Sequence, residues 1–126
     1  LLNSISKVET NNQNIKQYNN GPGQGYFQME NTTLPTAINR LNNYQNELGF
    51  NLGFDFNQIN SDNFMNQSKD IQQVLTLANI LKSAREKHTY INPKDQMNTW
   101  LNYHWAGKEE DKQDRIQHWN EIINTN

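Results

Sequence analysis

One carboxylate is singled out by its position. In the segment Leu1–Thr10, Leu2, Ile5 and Glu9 fall at i, i+3 and i+7, so a helix there turns Glu9 towards its own apolar side. A Glu at a helix end is more often exposed, since Glu is rarely buried without a partner. Where such a carboxyl loses water its pKa rises, and it stays protonated near neutrality, ready to act as a general acid. The next segment, residues 19–29, reads Asn-Asn-Gly-Pro-Gly-Gln-Gly-Tyr-Phe-Gln-Met. Its glycines let backbone approach a ligand closely. Tyr26, Phe27, Gln28 and Met29 then supply two rings, an amide and a thioether. An N-acetylated sugar needs that set: rings and sulfur for its apolar faces, an amide for its hydroxyls and acetamide. Glu30 follows at once, either as a second carboxylate for the same site or as a first-turn acid favouring the next helix's N-terminus.

The order and spacing of these residues resemble the goose-type lysozyme and soluble lytic transglycosylase superfamily. Its members end a helix with Glu-Ser and follow it, after a short polar stretch, with a Gly-Leu-Met-Gln-like motif. Glu9-Thr10 is similar to the first and Gly25-Tyr26-Phe27-Gln28 to the second. Residues 21–30, from Gly21-Pro22 to Met29-Glu30, look still more like a phage-encoded branch with the signature Gly-Pro-x-x-Gly-x-Phe-Gln-Met-Glu-Pro-x-Thr. Thr10 stands where the family has Ser, and Asn31 where the branch has Pro. The family's Tyr-Asn pair near the C-terminus has its nearest counterpart in Tyr103-His104-Trp105-Ala106, which lacks the Asn; Tyr103 and Trp105 are the groove residues that this implies. The likeness is sharp over residues 5–34 and architectural beyond. The branch has a helix before the catalytic one, which implies sequence upstream of Leu1.

The resemblance implies that Glu9 protonates the oxygen bridging N-acetylmuramic acid and N-acetylglucosamine, with an oxocarbenium-like transition state. Either the substrate's 6-hydroxyl then attacks, or a water activated by a second carboxylate does. Glu30 and Asp55 are the candidates for that second group, and Asp55 reads better as a loop residue. The implied partners are peptidoglycan glycan strands and other virion proteins, with no cofactor. The implied location is a phage virion or the bacterial cell wall and periplasm.

Five helical segments must position these groups. The first ends where Asn11-Asn12 weakens it. The second opens at Thr32-Thr33 with Pro35 in its first turn, carries Leu34, Ala37, Ile38, Leu41, Tyr44 and Leu48 as its stripe, and stops at Gly49. Residues 50–67 alternate aromatics with Asn, Asp and Gly, an irregular loop pinned by rings with a helical turn after Ser61. The third helix, Lys69 to His88, buries Ile71, Val74, Leu75, Ala78, Leu81 and Ala84, and Leu77 and Ile80 widen that stripe. A helix apolar on most sides is central in its domain. Asn92-Pro93 caps a fourth helix carrying Met97, Trp100, Leu101, His104 and Trp105, which Gly107 ends. Trp100 reads as core, and Trp105, beside Gly107, as groove-facing. The last helix, Glu109 to Ile123, buries Ile116, Trp119 and Ile123. The expected fold is mainly α, of the lysozyme-like α+β kind, with a small Gly-rich loop or hairpin.

The 126 residues suit one domain, 1–126. Hydrophobic residues reach only 33%, low enough to raise disorder as an alternative. The three Trp, five Tyr and five Phe lie mostly within periodic segments, which argues for a fold with an amide-rich surface. Asn fills roughly 18% of positions, far above ordinary usage, and points to an AT-rich coding sequence. A net charge of −2 with no basic stripe disfavours nucleic-acid binding. The absence of Cys excludes disulfides and thiolate metal sites. His88, His104 and His118 have no metal spacing. No apolar run approaches the ~20 residues that cross a membrane. Two other readings compete with the enzyme: a non-catalytic glycan-binding or structural virion protein that keeps the fold, and a plain helical interaction domain.

Overall fold

The computed structural model describes residues 1–17, 21–89, 92, 94–105 and 107–124. Among these described residues there are five helices: α1 (Leu2–Thr10), α2 (Leu34–Leu48), α3 (Lys69–Glu86), α4 (Gln96–Tyr103) and α5 (Lys112–Asn124). Between α1 and α2, β1 (Gly23–Gln24) and β2 (Met29–Glu30) form an antiparallel hairpin, Gly23 opposite Glu30 and Gln24 opposite Met29. The expectation of a mainly helical fold with one small hairpin holds. Asn19 and Asn20 lie outside the described residues.

Helix ends follow local chemistry. Asn11 and Asn12 adopt positive φ, 53° and 60°, which stops α1; asparagine tolerates the left-handed region better than most residues. Gly49, at φ 70°, closes α2 in the same way. The Ser68 hydroxyl accepts from the Ile71 amide and caps α3, with Asp70 in the first turn facing the helix's positive end. The start of α4 differs from expectation. Its cap is Asp95, whose carboxylate accepts from the Asn98 amide, so the helix opens at Gln96; Pro93 lies outside the described residues. Nor does α4 reach Gly107, since it ends at Tyr103. Residues Glu109–Asp111 form a 3-10 turn that leads into α5.

Two apolar clusters form the interior. The first joins Met29, α2 and α3 to the 50–67 loop, which Phe56 and Phe64 pin from within. The second joins α1, α4 and α5 through Ile5, Val8, Trp100, Leu101 and Trp119, with Phe27 and Ile80 between them. Helix α3 packs on both α2 and α4 and contributes to both clusters, so it is the central helix. Its buried face keeps most of the expected stripe, with Leu75, Ala78, Ile80 and Ala84 buried and Ile71 and Val74 packed on the first cluster, but it also takes in polar residues and leaves two leucines out. Gln72, Thr76 and Asn79 are buried, whereas Leu77 and Leu81 are each 37% exposed. A buried amide needs partners, and here two of three come from distant segments: Gln72 Oε1 accepts from the Tyr26 amide, and its Nε2 donates to Asn14 Oδ1 and to the nearby Gln67 carbonyl. Leu48, placed in the α2 stripe by periodicity, is 69% exposed because the chain turns away at Gly49.

Candidate active site

Glu9 sits in the last turn of α1, on a face that Ile5 and Val8 anchor in the core. The Trp100 indole N–H donates to its Oε1 at 2.6 Å, and among the described residues no donor takes Oε2. Loss of water raises the carboxyl's pKa from 4.5 to about 7, against the opposing pull of the Trp100 hydrogen bond and the nearby Arg115 cation. At neutral pH it is therefore poised between acid and base. Trp100 is held rigidly, being fully buried and stacked on Trp119 with ring centroids 5.1 Å apart. The core reading of Trp100 is right, and its polar edge is what reaches the acid.

The turn after β1 is fixed by close contacts. Gly25 has φ +84°, and a Cβ there would lie 2.1 Å from Gln72 Oε1 and 2.9 Å from the Phe64 ring, so only glycine fits. Gln28, also left-handed at φ 53°, donates from Nε2 to the Gly25 carbonyl at 2.9 Å and to the Ile15 carbonyl at 3.0 Å. Both amide protons thus shape the loop, and Oε1 is the atom left to meet a ligand. Thr10 closes the junction with α1, its hydroxyl lying 2.9 Å from both the Ser6 and Tyr26 carbonyls.

These elements border a groove of about 760 Å³ that contains Glu9 together with Gln28, Met29, Glu30, Tyr103 and Trp105. Six of the eight residues singled out from the sequence therefore share one space. Phe27 does not: its ring is 1% exposed in the second cluster, because a ring at that turn fills the core between α1 and α4. Tyr26 is also absent from the groove lining; its ring packs on the same cluster with the Lys69 ammonium 5.6 Å from its centroid. Asp55 is exposed and caps a 3-10 turn, consistent with a loop role.

Other groove residues lie beyond the set that the sequence motifs mark. His104 bridges two elements, Nε2 at 2.6 Å from the Phe27 carbonyl and Nδ1 at 3.4 Å from Asn79 Nδ2. A carbonyl can only accept, so Nε2 carries the proton and donates, while Nδ1 accepts from the Asn79 amide. Burial pushes the His104 pKa down, which agrees with this neutral tautomer. Asp111, Lys87, Lys108 and Arg115 also line the groove. Nothing in α5 marked Arg115 beforehand, since its role depends on α5 lying against α1. The position of His104, one turn after Trp100, was a usable clue. Ala106 lies outside the described residues, and among those described no group of three His, Cys, Asp or Glu can hold a metal ion. Compared with known proteins, the chain matches no family model, no curated protein and no solved structure.

Proposed function

We propose that the domain cleaves the β-1,4 bond between N-acetylmuramic acid and N-acetylglucosamine in peptidoglycan, with Glu9 as the general acid. The observation that supports this best is a carboxyl with a pKa of about 7, oriented by one buried indole, opening on a groove shared with Gln28, Met29 and Trp105. The resemblance of Glu9-Thr10 and residues 21–30 to lytic transglycosylases supplies the substrate class. Its wider expectations, a virion or cell-wall location and contact with other virion proteins, belong to the same proposal.

In this reading Trp100 fixes Oε1, and the proton on Oε2 passes to the glycosidic oxygen as the C1–O bond breaks. Positive charge spreads over C1 and the ring oxygen. The carboxylate left behind then takes a proton from the attacking hydroxyl, which closes the cycle. When the attacker is the sugar's own 6-hydroxyl, the product is a 1,6-anhydro ring and no second carboxylate is needed. When it is water, Glu30 and Asp111 are the groove carboxylates available to activate it. Acid catalysis of this kind is worth roughly 10²- to 10⁴-fold. The test is muropeptide analysis by mass spectrometry with the wild-type domain and Glu9→Gln. Products short by one water identify the transglycosylase, and reducing ends identify the hydrolase. No product from the wild type, or equal product from Glu9→Gln, overturns the assignment.

A further inference from the structure

A second cavity, of about 400 Å³, lies between α2 and the loop that carries Asn57 to Ser61. Its lining differs in kind from that of the groove. Among the described residues no ionisable side chain borders it: Leu34, Pro35, Ile38 and Ile59 supply an apolar surface, and Asn31, Asn39, Asn42, Asn57 and Asn60 supply amides. Several of these amides are already held in place. Asn42 Nδ2 donates to Asn57 Oδ1 at 2.8 Å, Asn31 Oδ1 accepts from Gln24 Nε2 at 2.5 Å, and Asn60 Oδ1 accepts from the amides of Asp62 and Asn63. Those bonds leave Asn31 and Asn57 as donors and Asn42 as an acceptor for anything that enters. Fixed amides around an apolar patch suit an uncharged pyranose, whose C–H face is apolar and whose hydroxyls both donate and accept. A charged ligand meets no counter-ion among the described residues that line the cavity.

The two spaces flank one short turn. Glu30 and Thr33 border the groove, while their immediate neighbours Asn31 and Leu34 border the second cavity, and the Thr33 amide donates to the Glu30 carbonyl across that turn at 3.0 Å. We propose that the cavity is a second saccharide subsite that takes an uncharged N-acetylhexosamine unit of a glycan strand crossing the Glu30–Leu34 turn from the groove. The proposal rests on the glycan reading of the groove for its polymer, and on the neutral lining for its sugar.

The experiment is NMR titration of the full chain carrying Glu9→Gln, with chitohexaose, chitobiose and a peptidoglycan stem tetrapeptide as probes. The side-chain amides of Asn39, Asn42 and Asn57 should shift with chitohexaose, which should bind about tenfold more tightly than chitobiose. Asn39→Trp, at an exposed helix position where the indole fills the cavity, should remove that advantage with an unchanged circular dichroism spectrum; Asn57→Ala gives the same readout should the first variant misfold. Shifts at both cavity and groove with chitohexaose uphold the subsite, whereas cavity shifts while the groove stays silent count against the groove as a glycan site and overturn the strand path from it. Groove shifts alone overturn the subsite and leave the groove reading standing. Cavity shifts with the tetrapeptide and not the sugars overturn the saccharide assignment, and silence throughout at about 10 mM overturns both.

Discussion

The Trp100 indole N–H donates to Glu9 Oε1 at 2.6 Å, and this bond joins the end of α1 to the middle of α4. It does two opposing things. It orients the carboxyl, and it favours the ionised form, which moderates the rise in pKa that burial imposes. Trp100→Phe keeps a ring in the core and removes the donor. The Glu9 pKa should then rise above about 7, so the alkaline limit of activity should move to higher pH while the rate at its optimum falls. Losing a hydrogen bond to a charged group costs roughly 1.5–3 kcal/mol, which corresponds to a rate loss of about 10-fold or more. The pH–rate profile of this variant checks both directions at once.

Glu9 also carries a stability signature that needs no substrate. Its pKa is about 7 in the fold and 4.5 as the unperturbed group, so the native state binds the proton more tightly. The associated stability is fully present below pH 4.5 and is lost as pH rises through 7. Glu9→Gln cannot ionise and still offers an oxygen to Trp100. Its stability should match the wild type at pH 4 and exceed it at pH 9 by up to about 3 kcal/mol. Denaturant midpoints at the two pH values measure this, and an equal offset at both refutes a raised Glu9 pKa.

How far these features could be read from sequence depends on how far apart their partners lie. The i, i+3, i+7 pattern of Leu2, Ile5 and Glu9 is local, and it correctly turned Glu9 towards its helix's apolar side. The end of α2 at Gly49 and the start of α3 at Lys69 were legible for the same reason. Trp100 was legible as core, but its bond to Glu9 spans 91 positions and periodicity carries no information about it. The buried face of α3 shows the limit most clearly. Its apolar stripe placed Leu81 inside and passed over Gln72, because two of that amide's three partners come from the folded segments at Tyr26 and Asn14. Phe27 misled for a related reason: an aromatic next to a glycine turn can serve a ligand or a core, and contacts from Ile5, Ile80 and Trp100 decide for the core.

Gly25 and Gly49 form a matched pair for testing the turn. Both have positive φ, +84° and +70°, but a Cβ on Gly49 meets nothing within 4 Å, whereas one on Gly25 would lie 2.1 Å from Gln72 Oε1. Gly49→Ala should therefore cost about 1 kcal/mol, the conformational penalty alone. Gly25→Ala should cost at least about 3 kcal/mol, since it also displaces the amide that holds the Tyr26 N–H. Thermal denaturation of the two variants separates these outcomes, and similar losses would falsify the close-packing account of Gly25.

Arg115 acts on the acid from α5 without a direct ion pair among the described residues, and its charge lowers the Glu9 pKa. Arg115→Gln removes that charge and keeps a polar side chain of similar reach at the groove wall. The Glu9 pKa should rise, in the same direction as with Trp100→Phe, and activity should extend to higher pH. The two variants differ in their response to salt. A charge–charge effect across a solvent-open groove is screened as ionic strength grows, so the gap between Arg115→Gln and wild type should shrink from low salt to about 1 M, where the screening length is only about 3 Å. The Trp100→Phe gap reflects a short-range hydrogen bond and should persist. A salt-independent Arg115→Gln shift would mean that Arg115 acts by packing α5 against α1, and a double variant additive in pKa would place the two effects on separate physical causes.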